Sequence, residues 1–332
     1  MAHLPSPYPP QHRQCAIGSL PIPDSQVLGI LEGDATVSFR AGAQAIVRPR
    51  IVVATRDDDV TPLALWASVG RARGRALGWL RRRAEYRRNE WIVDDPQDLL
   101  ELVDWLTQAG PLPPRMDALL DLARRAALVI LAGRSDPDRN STELAGLAAR
   151  ARATNRGRTP LPLSACLATA GREHLAWVFS GLFAADGSLA LRNRHARFAP
   201  VAVVSQRCDN APLLRSFANG LGIGELHAQG RQVYLRVSRL PECRALAEIL
   251  REFPLPASSP RRRQLDTWSR ALALRDSRPS RSSALAALCD ELRAAKRYSG
   301  PRLLCSCSPP APIDAQLPRA RPLQGARVIG SE

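Results

Sequence analysis

Two aspartates stand out by what precedes them. Asp34 closes the run Val27-Leu28-Gly29-Ile30-Leu31-Glu32-Gly33-Asp34-Ala35, and Asp186 closes Phe179-Ser180-Gly181-Leu182-Phe183-Ala184-Ala185-Asp186-Gly187. Each run is apolar and helix-like, with small residues four apart: Gly29 with Gly33, and Gly181 with Ala185. Positions i and i+4 share one helix face, so two such helices can approach with near backbone contact. Their C-terminal ends then bring Asp34 and Asp186 together. Adjacent carboxylates repel unless a cation lies between them, which makes the pair a ready site for a hard divalent ion such as Mg²⁺. Such an ion can activate water and stabilise a leaving oxygen in phosphodiester hydrolysis. Taken singly, either aspartate reads as well as a helix-end residue capping the next turn. Two at equivalent positions favour the metal role.

The elements that would position them are written twice. After Asp34 come a strand at 36–40, a Gly/Ala turn and a second strand at 46–55. After Asp186 come a strand at 188–192, a polar turn and a strand at 197–206. A charged turn follows each, Arg56-Asp57-Asp58-Asp59 and Arg207-Cys208-Asp209-Asn210, then a helix (61–69 and 211–221) and a hairpin (75–93 and 224–237). A proline-opened helix comes next in both halves, at Asp95-Pro96 and Leu240-Pro241. A further helix contains Arg115-Met116-Asp117 in one half and Arg263-Gln264-Leu265-Asp266 in the other. The stretches 141–155 and 282–296 also correspond. The economical reading is an α+β protein made of two pseudo-symmetric αββαββα repeats, packed through their first helices into a saddle of two antiparallel sheets. The expected boundaries are a flexible segment at 1–24, repeat 1 at 25–135, a helical linker at 136–172, repeat 2 at 173–300 and a proline-rich tail at 301–332.

Length and composition agree with this division. The chain has 332 residues, is 45% hydrophobic and carries a net charge of +16. That excludes wholesale disorder, and the length suits two domains or one unit used twice. No apolar run reaches the length of a membrane span. Lys296 is the only lysine among 47 basic residues, which is a codon-usage effect. The excess of base over acid is a separate matter and favours a polyanionic partner. Seven cysteines, an odd number and widely spaced apart from Cys305-Ser306-Cys307, argue against a disulfide framework, and with no second pair and no metal-ligand spacing among the five histidines a zinc site is not expected.

Strand alternation sorts the basic residues by face. Val47, Ile51 and Val53 share one face, and Arg48, Arg50 and Val52 the other. Ser38 pairs in phase with Arg40, and Arg192 with Arg194. Gln232, Tyr234 and Arg236 alternate with Val233, Leu235 and Val237. Each sheet would therefore have an apolar side for its helices and an arginine-rich side left open for phosphates and base edges. Between Arg71 and Glu90, eight arginines face two acids. We expect a phosphate clamp there, around Arg75, Arg81 and Arg88, with a solvated hairpin tip as the competing reading. Trp79 and Trp91 are expected as cross-strand core partners, and Trp105 and Trp268 as helix core residues.

The two runs, VLGILEGDA and FSGLFAADG, resemble the motif of the LAGLIDADG homing endonucleases in their single-chain, two-repeat form. They keep the motif's third-position glycine (Gly29, Gly181) and eighth-position acid (Asp34, Asp186), and the resemblance extends over most of residues 25–300. It implies that Asp34 and Asp186 bind Mg²⁺ and that each of two sites cuts one strand of a long, near-asymmetric DNA duplex. It implies DNA contacts from Ser38, Arg40, Arg48, Arg50, Arg75, Arg81, Arg88, Arg192, Arg194, Arg197, Tyr234 and Arg236. Gln206 matches a polar residue that the family holds near the attacking water. The basic residue near the scissile phosphate would be Arg115 in repeat 1 and Arg263, among Arg261, Arg262 and Arg263, in repeat 2. Two departures concern repeat 1. Ala35 replaces the glycine after the acid and would be strained if that position needs a positive φ. Thr55 stands where repeat 2 has Gln206. The repeat 1 site is therefore expected to be slower or defective. The resemblance also allows an RNA-binding intron maturase with weakened cleavage, or a non-catalytic DNA-binding regulator. It implies a monomer with no membrane association, an intron-encoded or free-standing gene, and an organellar setting in mitochondria or plastids.

Overall fold

A computed structural model of the chain describes residues 21–41, 47–56, 59–132, 137–157, 161, 167, 169–194, 197–276 and 282–296. The proline-rich tail and nearly all of the N-terminal segment lie outside the described residues. Repeat 1 runs α1 (Asp24–Asp34), β1 (Ala35–Ala41), β2 (Val47–Arg56), α2 (Thr61–Arg73), β3 (Trp79–Arg83), β4 (Arg88–Val93), α3 (Pro96–Gln108), α4 (Pro114–Ala132) and α5 (Pro137–Asn155). Repeat 2 runs α6 (Arg172–Asp186), β5 (Gly187–Arg194), β6 (Arg197–Arg207), α7 (Ala211–Leu221), β7 (Glu225–Gln229), β8 (Gln232–Val237), α8 (Leu240–Glu252), α9 (Arg261–Asp276) and α10 (Ser282–Lys296). The two antiparallel sheets have the same order, β1-β2-β4-β3 and β5-β6-β8-β7.

The segment expected as a linker contains α5, which packs on β1 and β2 as α10 packs on β5 and β6. It serves repeat 1 as its outer helix. The C-terminal end of α5 also reaches across: Arg207 of β6 donates to the Thr154 and Asn155 carbonyl oxygens, and Asn155 donates to the Val37 carbonyl.

The alternation of the strands sets what lies beneath them. Val37, Ile51, Val53, Trp91 and Val93 are buried under sheet 1, and Leu189, Ala202, Val204, Val233, Leu235 and Val237 under sheet 2. Trp91 donates its indole N–H to the Leu77 carbonyl, and the buried Trp268 donates to Ala190. Trp105 is also buried. Trp79 departs from the expected pairing with Trp91. The register sets Trp79 opposite Ile92 and Leu80 opposite Trp91, so the two indoles lie on opposite faces. Trp79 is 38% exposed, bonds Asp94 and carries the Arg81 guanidinium 5.5 Å from its ring.

Most helices here are amphipathic, but α1 and α6 are buried nearly all round, from Gln26 to Glu32 and from Leu175 to Phe183. A helix without a polar face belongs inside, and these two lie against each other. Gln26, polar yet buried, is satisfied at that contact by Ser180 (3.0 Å) and the Pro254 carbonyl (2.8 Å).

A carboxylate pair between two basic sheets

The seam between α1 and α6 is closed by the residues spaced four apart. A methyl group on Gly29 would sit 2.0 Å from the Val178 carbonyl oxygen, and one on Gly181 would sit 2.1 Å from that of Gln26 and 3.0 Å from the Gly29 Cα. Further along, a methyl on Gly33 would meet the Ala185 Cβ at 2.4 Å and Asp186 Oδ2 at 3.4 Å. The helices therefore touch backbone to backbone, and this closeness delivers Asp34 and Asp186 to one place.

Both carboxyls resist ionisation there. Burial, then the charges of Asp186 and Asp59, push Asp34 up to about 7 against the opposing pull of Arg261. Burial pushes Asp186 up to about 6, opposed by a hydrogen bond from Gln206 and by Arg115 and Arg261. The protein thus supplies too little positive charge to neutralise the pair, as expected of a site completed by a cation. Two half-buried carboxylates are hard oxygen donors and fit Mg²⁺ or Ca²⁺. No group of three or more His, Cys, Asp or Glu side chains among the described residues could hold a metal. An ion here would take its remaining ligands from water, backbone or a bound phosphate, a coordination habitual for Mg²⁺.

The surroundings of the two aspartates differ. The Gln206 amide donates to Asp186 Oδ2 (2.6 Å), and Asn210 donates both to Gln206 Oε1 (3.0 Å) and to Glu32 Oε1 (2.6 Å). Glu32 is wholly buried, pushed up to about 7 by that burial, and held by Arg115, Asn210 and the Met116 N–H (3.0 Å). The sequence reading missed Glu32, although an acid inside an apolar helix is a visible anomaly. In repeat 1, the Thr55 hydroxyl donates to the Asp59 carbonyl (3.0 Å), and the Asp59 side chain accepts the Thr61 N–H (2.8 Å). A pocket of about 470 Å³ opens there, with Asp34, Thr55, Asp59 and Arg261 in its wall.

Three expectations change on this geometry. Ala35 is extended at φ −82, ψ 144, like Gly187 at φ −69, ψ 151, so neither position needs a positive φ and alanine is unstrained. Arg115 spends its guanidinium on the chain itself, donating to the carbonyls of Glu32 (2.6 Å) and Ala35 (3.0 Å) at the end of α1. In repeat 2 the basic residue at the carboxylates is Arg261 in place of Arg263. Arg261 is half-buried and feels the charges of Asp59, Asp34 and Asp186, whereas Arg263 is exposed. The dipeptide Pro-Arg opens both helices, at Pro114-Arg115 and Pro260-Arg261, and was the signal available in the sequence.

On the open face of sheet 1, Arg50, Arg81 and Arg83 gather around Glu90, with Arg40 beside Arg50. Burial and the neighbouring Arg40 and Arg81 pull Arg50 below its ordinary value, against Glu90. Arg50 donates to Ser38 (2.9 Å), and Arg81 is paired to Glu90 at 2.5 Å. Arg48 and Arg88 are exposed on β2 and β4. Arg75 lies outside this cluster and is clasped by Asp98 and Glu101 of α3, which leaves its guanidinium committed within the protein. The strands β3 and β4 turn through Ala84–Tyr86, with Arg87 at φ 50. On sheet 2, Arg192 is exposed, Arg236 lies between Val203 and Glu225, and Tyr234 lies between Ser205 and His227. Arg194 and Arg197 form the last register pair of the β5–β6 hairpin, and their side chains lie outside the described residues.

No family model matches the sequence, and no curated protein matches it. Solved structures do match in three dimensions. The LAGLIDADG homing endonuclease I-SmaMI bound to cleaved DNA superposes with a TM-score of 0.66 at 14% identity, over 80% of this chain and 95% of its own. I-GzeII in complex with its DNA target gives 0.66 at 12% identity, over 82% and 97%. The meganuclease I-AabMI bound to uncleaved DNA gives 0.64 at 14% identity, over 82% and 98%. The fold is that of the single-chain LAGLIDADG homing endonucleases. In this chain α1 and α6 form the central seam of that fold, and the half-buried carboxylate pair stands at their C-terminal ends. I-SmaMI has also been solved on an uncleaved DNA target in the presence of calcium ions.

Proposed function

We propose that this protein is a site-specific endonuclease that hydrolyses both strands of a DNA duplex with the help of a divalent cation, Mg²⁺ being the expected one. The observation that carries this reading is the pair of half-buried carboxylates, Asp34 and Asp186, brought together at the base of a seam flanked by two arginine-bearing sheets and both pushed above the ordinary carboxylate range. The DNA-bound structures that share the fold support it.

Asp34 and Asp186 would hold the ion. When bound, it supplies Lewis acidity and a more acidic water. The remaining work falls to the chain. Gln206, fixed between Asp186 and Asn210, is placed to orient the attacking water. Arg261 sets a positive charge where a phosphate would lie against the carboxylates. Arg115 locks the end of α1 and thereby the direction of Asp34. Arg40, Arg48, Arg50 and Arg88 on one sheet, with Arg192, Tyr234 and Arg236 on the other, would engage phosphates and base edges. Because the two sheets carry different side chains, the target would be long and near-asymmetric. One chain provides both carboxylates, so the enzyme would act as a monomer. An intron-encoded gene and an organellar setting belong to the same proposal.

The test uses purified protein, Mg²⁺ and the intron-lacking allele of the host gene. Double-strand cleavage that Asp186→Asn abolishes supports the reading. Tight binding to intron RNA with no cleavage of DNA would replace it with a maturase.

A further inference from the structure

The two carboxylates serve two repeats whose supporting residues are unequal. In repeat 2 a hydrogen-bond chain runs from Asp186 through Gln206 and Asn210 to Glu32, and so crosses the seam into repeat 1. Arg115 stands 3.7 Å from Glu32 and, with the Met116 N–H, anchors the far end. Both bonds from Asn210 use its amide nitrogen, and its Oδ1 is buried without a donor, so the two acceptors dictate the amide's orientation.

Gln206, Asn210 and Glu32 have no counterparts on the other side, where Arg261 answers to Arg115 beside Asp34. Repeat 1 has Thr55 for Gln206, Asp59 for Asn210 and, on α6, Ala184 for Glu32. A threonine hydroxyl sits one carbon from the backbone and an amide reaches two carbons further. Thr55 accordingly bonds the nearby Asp59 carbonyl. Asp59 carries charge and no donor, and Ala184 has no group to anchor one. Open space beside Asp34 takes the place that the Gln206 amide fills beside Asp186.

We propose that, within the endonuclease reading above, this protein cuts its two DNA strands in a fixed order. The repeat 2 site acts first and releases a nicked duplex, and Glu32 and Asn210 are the positioning residues that set the order by holding Gln206. Each cut is the same hydrolysis. Water oxygen bonds to phosphorus and loses a proton, one ester P–O bond breaks, and the departing oxygen gains a proton, leaving a phosphomonoester and a hydroxyl. The order comes from how well each site holds its water. Outer groups that orient metal-binding carboxylates change activity by about 10–100-fold when removed, so the expected gap between strands is of that size.

The experiment starts from duplexes retained by the protein from a randomised library in Ca²⁺, with the two strands labelled by different dyes and cleavage started with Mg²⁺. The parent should cut one strand at least about tenfold faster and accumulate a nicked product. Asn210→Asp should slow the fast strand about tenfold or more and leave the slow strand unchanged. Glu32→Gln, which keeps an oxygen for Asn210, should preserve the order, and Thr55→Gln should quicken the slow strand. Thermal melts report whether each variant is folded, and Thr55→Gln tests the order even if the buried variants do not fold. Equal rates on both strands of the parent, or equal slowing of both strands in a folded Asn210→Asp, would overturn the order while leaving the endonuclease intact. A library that yields no retained duplex, or a retained duplex that is never cut, refutes the endonuclease reading and the order with it.

Discussion

The carboxylate pair makes a prediction that needs no DNA. Asp34→Asn in the metal-free protein should make it more stable at alkaline pH. Folding raises the Asp34 carboxyl from 3.8 to about 7, so the folded state binds its proton more tightly than the unfolded chain does. Stability from this group is therefore full below about pH 4 and falls as pH rises through about 7, after which the loss is constant. A shift of that size corresponds to about 4 kcal/mol. Partial solvent access and relaxation around Asp34 reduce the part seen as stability, and asparagine also gives up the attraction of Arg261. The expected gain is about 1–2 kcal/mol at pH 8, or about 2–8 °C in melting temperature for a domain of this size. At pH 5 the gain should be under half of that. Melting curves followed by circular dichroism in EDTA at the two pH values measure both numbers. Adding Mg²⁺ should reverse the ranking at pH 8, because the parent keeps the full carboxylate pair and gains more from the ion. An Asp34→Asn variant that melts at or below the parent at pH 8 in EDTA would refute the claim that these carboxylates are held together without enough countercharge.

Other perturbations follow from the same contacts. Gly29→Ala should cost about 1–3 kcal/mol in denaturant unfolding, since the obstructing atom is a backbone carbonyl that cannot swing aside. Arg115→Ala should cost about 3 kcal/mol, because it strips two carbonyls and the buried Glu32 of their partner, and the loss should be larger at pH 8 than at pH 6 as Glu32 ionises. Glu90→Gln should release Arg81 and Arg83 on the open face, tighten binding to duplex DNA at low salt and steepen the dependence of log affinity on log salt by about one unit. An unchanged salt slope for that variant would place the arginines of sheet 1 away from phosphate.

What was legible in the sequence followed short-range rules. Small residues at i and i+4 foretold the close helices because one helix turn contains the whole signal. Period-two alternation separated Ile51 and Val53 from Arg48 and Arg50 because a strand's faces are set by neighbours. What was not legible depends on contacts between distant segments. Asn210 bonds Glu32 from 178 residues away, and no local pattern announces that. Arg261, Arg262 and Arg263 are identical in type, and only the exact start of α9 decides which one faces the carboxylates. Arg75 reads as part of a basic run, yet Asp98 and Glu101, one turn apart on α3, claim it. Trp79 and Trp91 look like partners until the register of β3 against β4 shifts them to opposite faces. The repeated plan was readable, and the differences between its two copies required coordinates.

The bond between Asn210 and Glu32 also bears on inheritance. A chain built from two copies of one unit invites exchange: a half from one protein could be joined to a half from another, each bringing its own open, arginine-bearing sheet. The seam at Gly29 and Gly181 would tolerate such a graft wherever both partners keep small residues there. The chemistry would not travel so freely, because the better-built site is assembled from both halves. A chimaera that keeps residues from β5 onward but takes a foreign α1 without an acid at position 32 would inherit Gln206 and lose what steadies it.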